Sequence, residues 1–188
     1  MNNKIFFLIG PSGVGKSTVR KYIESKYPNI KYIPSFTTRQ PRPGEIHGKD
    51  YLFISASEFL YYRDNNLLIE WENHFENYYG ISYDYCESNL ATNSLIKEIA
   101  IDGYMQILVN SKLSKEHFNS IFIYPDDLRN LTNRLKDRGD KDITTRIRSI
   151  KDELKTSEQC DFVITSIEGE LDKLLVGVES IILKLLDA

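Results

Sequence analysis

A run of residues near the N-terminus has the types and spacing needed to hold a chain of phosphates. Gly10, Gly15, Lys16 and Ser17 satisfy the pattern G-x-x-x-x-G-K-[ST]. Glycines allow the backbone to curl so that its N–H groups point inward around an anion. The lysine ammonium can bridge the outer phosphates, and the serine hydroxyl can ligate Mg²⁺. The pattern therefore predicts a phosphate-binding loop that holds a nucleotide.

The segments on either side of this loop occur in the order that such a loop requires. Lys4–Ile9 is a short apolar run that ends at glycine, as a buried parallel strand would. Lys16–Tyr27 carries apolar residues at helical spacing, and Pro28 ends the predicted helix. The positive end of that helix would add to phosphate binding. The loop alone does not identify the phosphoryl acceptor, because ATPases, GTPases and small-molecule kinases share it.

The rest of the chain alternates predicted strands and helices. The patterns predict helices at Ser57–Asn65, Tyr83–Ala91, Leu128–Arg138, Ile143–Leu154 and Leu171–Leu186, and strands at Leu67–Trp71, Tyr78–Ser82, Leu95–Ile101, Ser120–Tyr124 and Phe162–Thr165. The proline- and glycine-rich stretch Tyr32–Phe53 predicts an irregular insert with small strands. This alternation favours an α/β fold with a mostly parallel sheet covered on both faces.

Composition narrows the class of protein further. The 188 residues fit one α/β domain, and the net charge of −3 gives no general attraction to nucleic acid or to an anionic membrane. Cys86 and Cys160 are far apart and outside any CxxC pair, which favours idle thiols. No apolar stretch approaches the length of a membrane span, so we expect a cytoplasmic protein.

A second candidate anion site lies in the insert. Arg39 and Arg42 flank Pro41, which stiffens the backbone between them. Paired guanidinium groups suit the terminal oxygens of a phosphate monoester, and Tyr51 supplies a hydroxyl nearby. Taken in isolation, the same residues are also typical of a solvated basic turn.

In combination, these motifs resemble the guanylate kinase family. The family pattern S-x-T-T-R-x-P-R-x-G-E-x-x-G-x-D-Y-x-F is matched from Ser35 to Phe53. Further matches follow in family order: Glu70-Trp71, Tyr78-Tyr79-Gly80, Arg134-Leu135-x-x-Arg138-Gly139 and Arg146. The resemblance implies a parallel-sheet P-loop kinase core at 1–34 and 83–188, a GMP-binding subdomain at 35–82 and a mobile lid at about 137–149.

The resemblance also implies an activity and a set of site residues. It implies ATP-dependent phosphorylation of GMP and dGMP to GDP and dGDP, with Mg²⁺, by a monomer or homodimer. Residues implied to contact ATP are Gly10, Pro11, Ser12, Gly13, Val14, Gly15, Lys16, Ser17 and Thr18, with Ser17 as the metal ligand. Residues implied to bind GMP are Ser35, Arg39, Arg42, Tyr51, Glu70, Tyr79 and Asp102. Lys16, Arg134 and Arg146 are the implied catalytic residues, and the roles of Arg138 and Arg148 stay open.

Three departures from the family pattern keep alternatives open. The family's D-x-D segment reads Ala100-Ile101-Asp102, so the first acid, which helps to organise Mg²⁺, is expected to be missing. Ile81 replaces a hydroxyl residue that contacts guanine, and Ser82 could substitute only if the loop shifts. The predicted lid is also shorter than usual. The alternatives are a ribose 1,5-bisphosphate kinase-like enzyme and a non-catalytic guanylate-kinase-like binding domain.

Overall fold

Five parallel strands form the main sheet of the protein. The computed structural model describes residues 3–74, 76–137 and 150–187. The main sheet contains β1 (Ile5–Ile9), β2 (Ile30–Tyr32), β7 (Ser94–Ile99), β8 (Phe118–Pro125) and β9 (Phe162–Ser166) in the order β2-β7-β1-β8-β9. Every neighbouring pair is parallel. The predicted α/β fold is confirmed.

Helices cover both faces of the main sheet. They are α1 (Lys16–Lys26), α3 (Tyr83–Leu90), α4 (Ile101–Asn110), α5 (Leu128–Asp137) and α6 (Leu171–Leu186), with a further helical segment at 150–155. Alternate residues of the fully buried β1 point to opposite faces. Phe7 packs in a cluster with Tyr104 of α4, whereas Phe6 packs in a cluster with Val19 of α1 and Val178 of α6. Two apolar layers therefore hold the central strand in place.

A second, smaller sheet is built from residues 35–82. Its strands are β3 (Ser35–Thr37), β4 (Tyr51–Phe53), β5 (Leu68–His74) and β6 (Asn77–Ser82), in the order β4-β3-β6-β5. Helix α2 (Ala56–Asp64) begins with a capping box formed by Ser55 and Glu58, and its Phe59 stacks on Tyr78 of β6 at 5.2 Å between ring centroids. The assignment of this range to GMP binding stays a prediction.

The prediction for Leu95–Ile101 is wrong at its C-terminal end. The strand ends at Ile99, and Ile101 begins a helix that sequence reasoning did not predict. Ile99 and Ile101 are both apolar, and no glycine or proline separates the strand from the helix, so the sequence does not mark this boundary. The helix forms because Ile101, Tyr104 and Ile107 bury one face of it in the core.

Other predictions fall partly or wholly outside the described residues. Residues 138–149 contain most of the predicted lid and the first part of the predicted helix Ile143–Leu154. Only the helical residues 150–155 of that segment are described. None of the helices in the described ranges has the length and apolar character needed to cross a bilayer.

Glu179 joins the first and last helices of the fold. The Tyr22 hydroxyl donates to Glu179 Oε2 at 2.8 Å, the Tyr27 hydroxyl donates to Oε1, and Lys26 Nζ lies 2.5 Å from Oε1. These contacts, with Lys26 first, lower the pKa of Glu179 from its ordinary 4.5 to about 2. A lowered pKa in the folded state means that the ionised carboxylate stabilises the fold above about pH 4.5, and that this contribution is lost as the pH falls toward 2.

We predict that Glu179→Gln lowers the free energy of unfolding at pH 7, and that the difference from the wild type shrinks between pH 4.5 and 2. Urea unfolding at a series of pH values measures this difference. Glu87→Gln is the matched control, because Glu87 is exposed and accepts one bond from the half-buried Tyr83. A wild-type minus Glu179→Gln difference that stays constant down to pH 3 would contradict the charge-based explanation.

Candidate functional site

The glycine-rich loop lies between β1 and α1 and lines an open cavity. Gly15 is the N-cap of α1 with φ +114°, and no side chain among the described residues caps this helix. A Cβ at Gly10 would lie 2.5 Å from the Ile123 carbonyl oxygen, so the loop needs glycine there. The cavity has a volume of about 590 Å³ and is lined by Ser12, Gly13, Gly15, Lys16, Ser17, Thr18, Glu98 and Arg134. The loop is therefore shaped to receive an anion.

Two cationic side chains are held over this loop by its own backbone. Lys16 Nζ donates to the carbonyls of Gly10 and Pro11, the latter at 3.0 Å. Arg134 Nη1 donates to the Gly13 carbonyl at 3.3 Å, and Nη2 pairs with Glu168. The structure thus brings both predicted cations to the loop. Arg146, Arg138 and Arg148 lie outside the described residues.

A carboxylate that sequence reasoning missed lies against the loop serine. Ser17 Oγ donates to Glu98 Oε2 at 2.5 Å, and Arg20 Nε donates to Glu98 Oε1 at 2.7 Å. Glu98 is paired in register with Leu8, so it comes to the same sheet edge as the loop. An acid therefore lies beside the predicted metal ligand Ser17, although position 100 is alanine. The sequence carried one signal for Glu98, which is its position near the end of the predicted strand. Ligand sites of α/β sheets lie at the carboxyl ends of the strands.

A second cavity lies between the two sheets and adjoins the first. Its volume is about 230 Å³, and it is lined by Tyr32, Ser35, Tyr51, Glu70, Glu72, Tyr79, Lys97, Glu98, Ile99, Ala100 and Gly103. Four residues predicted from the resemblance meet here: Ser35, Tyr51, Glu70 and Tyr79. Glu98 lines both cavities, so two ligands bound in them would meet at this residue.

Glu70 is turned into the second cavity by an irregularity of β5. The pairing of β5 with β6 shifts register between Leu68 and Glu70, and Ile69 and Glu70 are consecutive buried residues. Such a bulge re-aims a side chain that regular alternation would expose. Glu70 is 8% exposed, and its carboxylate accepts no hydrogen bond from the residues the structure describes. Burial raises its pKa to about 7, with Lys97 opposing that rise and Glu72 adding to it.

A buried lysine lies in the same cavity. Lys97 is 4% exposed, and its Nζ donates to the Ile33 carbonyl at 2.8 Å and to Ser35 Oγ at 2.6 Å. Burial lowers its pKa to about 8, and Glu70 opposes that fall. Sequence reasoning missed Lys97 as well. The available signal was a lysine inside the apolar run Leu95–Ile99 of a strand predicted to be buried.

The predicted arginine pair lies at the edge of the second sheet. Arg39 binds Glu45 through two hydrogen bonds of 2.8 and 3.0 Å, and its guanidinium lies 5.3 Å from the centre of the Tyr51 ring. Glu45 also accepts the Arg42 backbone N–H at 2.7 Å, and the Arg42 side chain is exposed. Glu45 therefore fixes the Arg39 guanidinium beside Tyr51 and holds the backbone at Arg42, a role that sequence reasoning did not assign.

Three other predicted or discussed positions lie away from the second cavity. Asp102 is exposed in the first turn of α4 and is not among the residues that line the cavity. Ile81 is fully buried in the core. Ser82 caps α3 by accepting the Tyr85 N–H at 3.3 Å. The suggestion that Ser82 replaces a base-contacting hydroxyl therefore has no support in the geometry.

Most of this chain is similar to known proteins of one family. The family model described as Guanylate kinase matches residues 2–185. The chain is 36% identical to a guanylate kinase of Latilactobacillus sakei, over 97% of this chain and 90% of that protein. It is 38% identical to a guanylate kinase of Lactiplantibacillus plantarum, over 89% of this chain and 82% of that protein.

The fold has a counterpart among solved structures. A crystal structure of guanylate kinase from Anaplasma phagocytophilum superimposes with a TM-score of 0.72 and 29% identity. The superposition covers 95% of this chain and 84% of that chain. The similarity therefore extends over nearly the whole chain, including both cavities.

Proposed function

Because this chain belongs to the guanylate kinase family, we propose that it transfers the γ-phosphoryl group of ATP to the phosphate of GMP or dGMP. The observation that carries this proposal is the pair of adjoining cavities. One is lined by the phosphate-binding loop, and Glu98 lines both. The other contains the Glu70 carboxylate, which has no hydrogen-bond partner among the described residues.

The chemistry of Glu70 favours guanine as the acceptor base. An ionised carboxylate only accepts hydrogen bonds, and guanine offers two neighbouring donors, N1–H and the exocyclic amine. The corresponding edge of adenine presents an acceptor at N1, which would leave the carboxylate mispaired. A buried group that loses its partner is costly, so Glu70 discriminates against adenine. A ribose bisphosphate has no base that could bind Glu70, so it is disfavoured as the phosphoryl acceptor.

The monophosphate end of the acceptor would lie at the other side of the second cavity. Tyr51 and Tyr79 line that cavity, and Arg39 lies beside Tyr51. Phosphate oxygens suit a guanidinium fork, so Arg39 would exchange its bond to Glu45 for the substrate phosphate. Arg42 would add a second charge from its exposed position. Asp102 is omitted from the proposed site because it does not line the cavity.

Transfer itself requires positioning and charge neutralisation, because the acceptor is already an oxyanion. Lys16 and Arg134 line the loop cavity and would stabilise the charge that spreads over the transferring group. Both now bind backbone carbonyls of the loop, so they are held close to where the outer phosphates would lie. Arg146 stays a predicted catalytic residue outside the described part of the chain.

The residues beside the loop fit a magnesium ion. Mg²⁺ prefers oxygen ligands, retains several waters and is bound by one or two protein groups together with substrate phosphates. Ser17 Oγ and the Glu98 carboxylate, 2.5 Å apart, provide such a donor set. When bound, the ion would neutralise charge on the β- and γ-phosphates.

The cytoplasmic location and the monomeric or homodimeric state stay predictions.

A coupled assay of ADP release with four acceptors tests the proposed function. We expect turnover with GMP and dGMP, turnover with AMP at least about a hundredfold lower, and none with ribose 1,5-bisphosphate. Lys16→Met should abolish transfer and leave GMP binding largely intact, because Lys16 lines the loop cavity and is absent from the lining of the acceptor cavity.

Two outcomes would overturn this assignment. Equal turnover with AMP and GMP would contradict the base-reading role of Glu70. Loss of GMP binding in Lys16→Met, measured by calorimetry without ATP, would mean that the acceptor site is misplaced.

We predict that Glu70→Gln lowers kcat/KM for GMP by on the order of a hundredfold, because its amide replaces one acceptor oxygen by a donor. The fall should appear mainly in KM, as expected for a lost binding contact. Glu76→Gln, in the turn of the same hairpin, is the matched control because Glu76 is exposed and outside both cavities. A Glu70→Gln enzyme with wild-type KM for GMP would remove Glu70 from the site.

We predict that Glu98→Gln raises the Mg²⁺ concentration needed for half-maximal activity by about tenfold or more. The reason is the loss of the charged partner of Ser17. Glu24→Gln is the matched control, since Glu24 also pairs with Arg20 and only Glu98 contacts Ser17. Equal Mg²⁺ dependence of the two variants would show that Glu98 acts through Arg20 and not through the metal.

A further inference from the structure

We propose that Lys97 is a specificity-determining residue of the acceptor cavity, whose ammonium keeps the Glu70 carboxylate ionised without occupying the oxygens that guanine would use. This proposal deepens the proposed function and rests on it. Lys97 acts through Glu70, so it is a positioning residue and not a catalytic one.

Oxygen atoms of two neighbouring residues anchor the Lys97 ammonium. Lys97 Nζ donates to the Ile33 carbonyl and to Ser35 Oγ, and it lies 5.0 Å from the centre of the Tyr32 ring. These partners come from the segment linking β2 to β3 and from the β2 and β3 strands themselves. They hold the charge at the cavity wall on the side of the main sheet.

The buried side chains of Glu70 and Lys97 face one cavity without forming an ion pair. Glu70 and Lys97 both line it and are 8% and 4% exposed. Among the described residues, no N–O distance within 4.0 Å joins them. An opposite charge at this range still favours the ionised form of a carboxyl group. Lys97 therefore compensates Glu70 while leaving its oxygens available to a ligand.

The remaining surroundings of Glu70 favour its protonated form. Burial and Glu72 raise its pKa, whereas Lys97 lowers it. The ionisable groups that face Glu70 or Lys97 across the packed elements are Arg20, Tyr32, Tyr51, Glu72, Tyr79, Cys86 and Glu98. Glu72 is acidic and disfavours a negative charge on Glu70, whereas Glu98 is paired with Arg20. Without Lys97, a larger fraction of Glu70 would be protonated at neutral pH.

Protonation of Glu70 would change what the cavity recognises. A carboxylic acid has one O–H donor, which conflicts with N1–H of guanine and pairs with the N1 acceptor of adenine. Loss of the Lys97 charge should therefore weaken GMP and reduce discrimination against AMP. High pH should reverse both effects, because it ionises Glu70 without the lysine.

The test compares pH profiles of kcat/KM for GMP in the wild type and in Lys97→Met, which keeps the length of the side chain and removes its charge. The acid limb reports ionisations of the free enzyme and substrate. In Lys97→Met we expect the midpoint of the acid limb to shift to higher pH by about one unit or more. We expect kcat/KM for GMP at pH 7 to fall about tenfold. The ratio of GMP to AMP turnover should fall at pH 7 and recover at pH 9.

Three controls separate this effect from a structural one. The phosphate of GMP titrates at about pH 6 whichever enzyme variant is used. The difference between the pH profiles of two variants therefore reports the protein group. Lys97→Arg keeps the charge and should keep the wild-type acid limb. Lys31→Met makes the same change at an exposed lysine of the neighbouring β2 and should have no effect.

A measurement without nucleotide keeps the proposal testable if the Lys97 variants have low activity. Carbon-13 NMR of the glutamate carboxyl groups, with Glu70→Gln for assignment, gives the pKa of Glu70 directly. It should be higher in folded Lys97→Met than in the wild type. An unchanged Glu70 titration, or an unmoved acid limb with wild-type turnover of GMP, would overturn this inference alone. No turnover of GMP by the wild type would overturn the proposed function instead.

Discussion

The parallel pairing of β1 with β7 is the constraint on which the rest of the site depends. In that register Leu8 lies opposite Glu98, so the strand that leads into the glycine loop and the strand that carries the carboxylate end at one edge. Ser17, at the start of α1, then reaches Glu98 at 2.5 Å. One backbone pairing therefore brings the loop hydroxyl and a carboxylate together, and the acceptor cavity begins at the same carboxylate.

The acceptor cavity depends in turn on a balance between buried charges. A buried carboxylate and a buried ammonium each lose hydration, and direct pairing would be the simplest compensation. Here the ammonium of Lys97 bonds to Ile33 and Ser35, and the carboxylate of Glu70 accepts no bond from the described residues. The fold thus keeps Glu70 receptive to a ligand at the cost of a raised pKa.

Sequence patterns predicted the fold class and the loop because those features depend on local spacing, and the family resemblance supplied four residues of the second cavity. Gly10 to Ser17 form a contiguous motif, and Ser35, Tyr51, Glu70 and Tyr79 belong to short ordered segments. Glu98 and Lys97 were missed because their roles come from strand pairing and burial across distant segments. Helix α4 was missed because no glycine or proline marks the boundary between Ile99 and Ile101. The role of Asp102 came from the family resemblance, and its exposed position outside the cavity lining does not support that role.

The same charge balance gives a physical reason for alanine at position 100. Ala100 lines the acceptor cavity together with Glu70, Glu72 and Glu98, and Lys97 is the cation in that lining. An additional carboxylate at position 100 would add like-charge repulsion to a group whose pKa already lies near 7. It would favour the protonated form of Glu70, which reads the wrong base edge. With Glu98 as the proposed metal-side carboxylate, alanine at position 100 avoids that repulsion and leaves Lys97 able to favour the ionised form of Glu70.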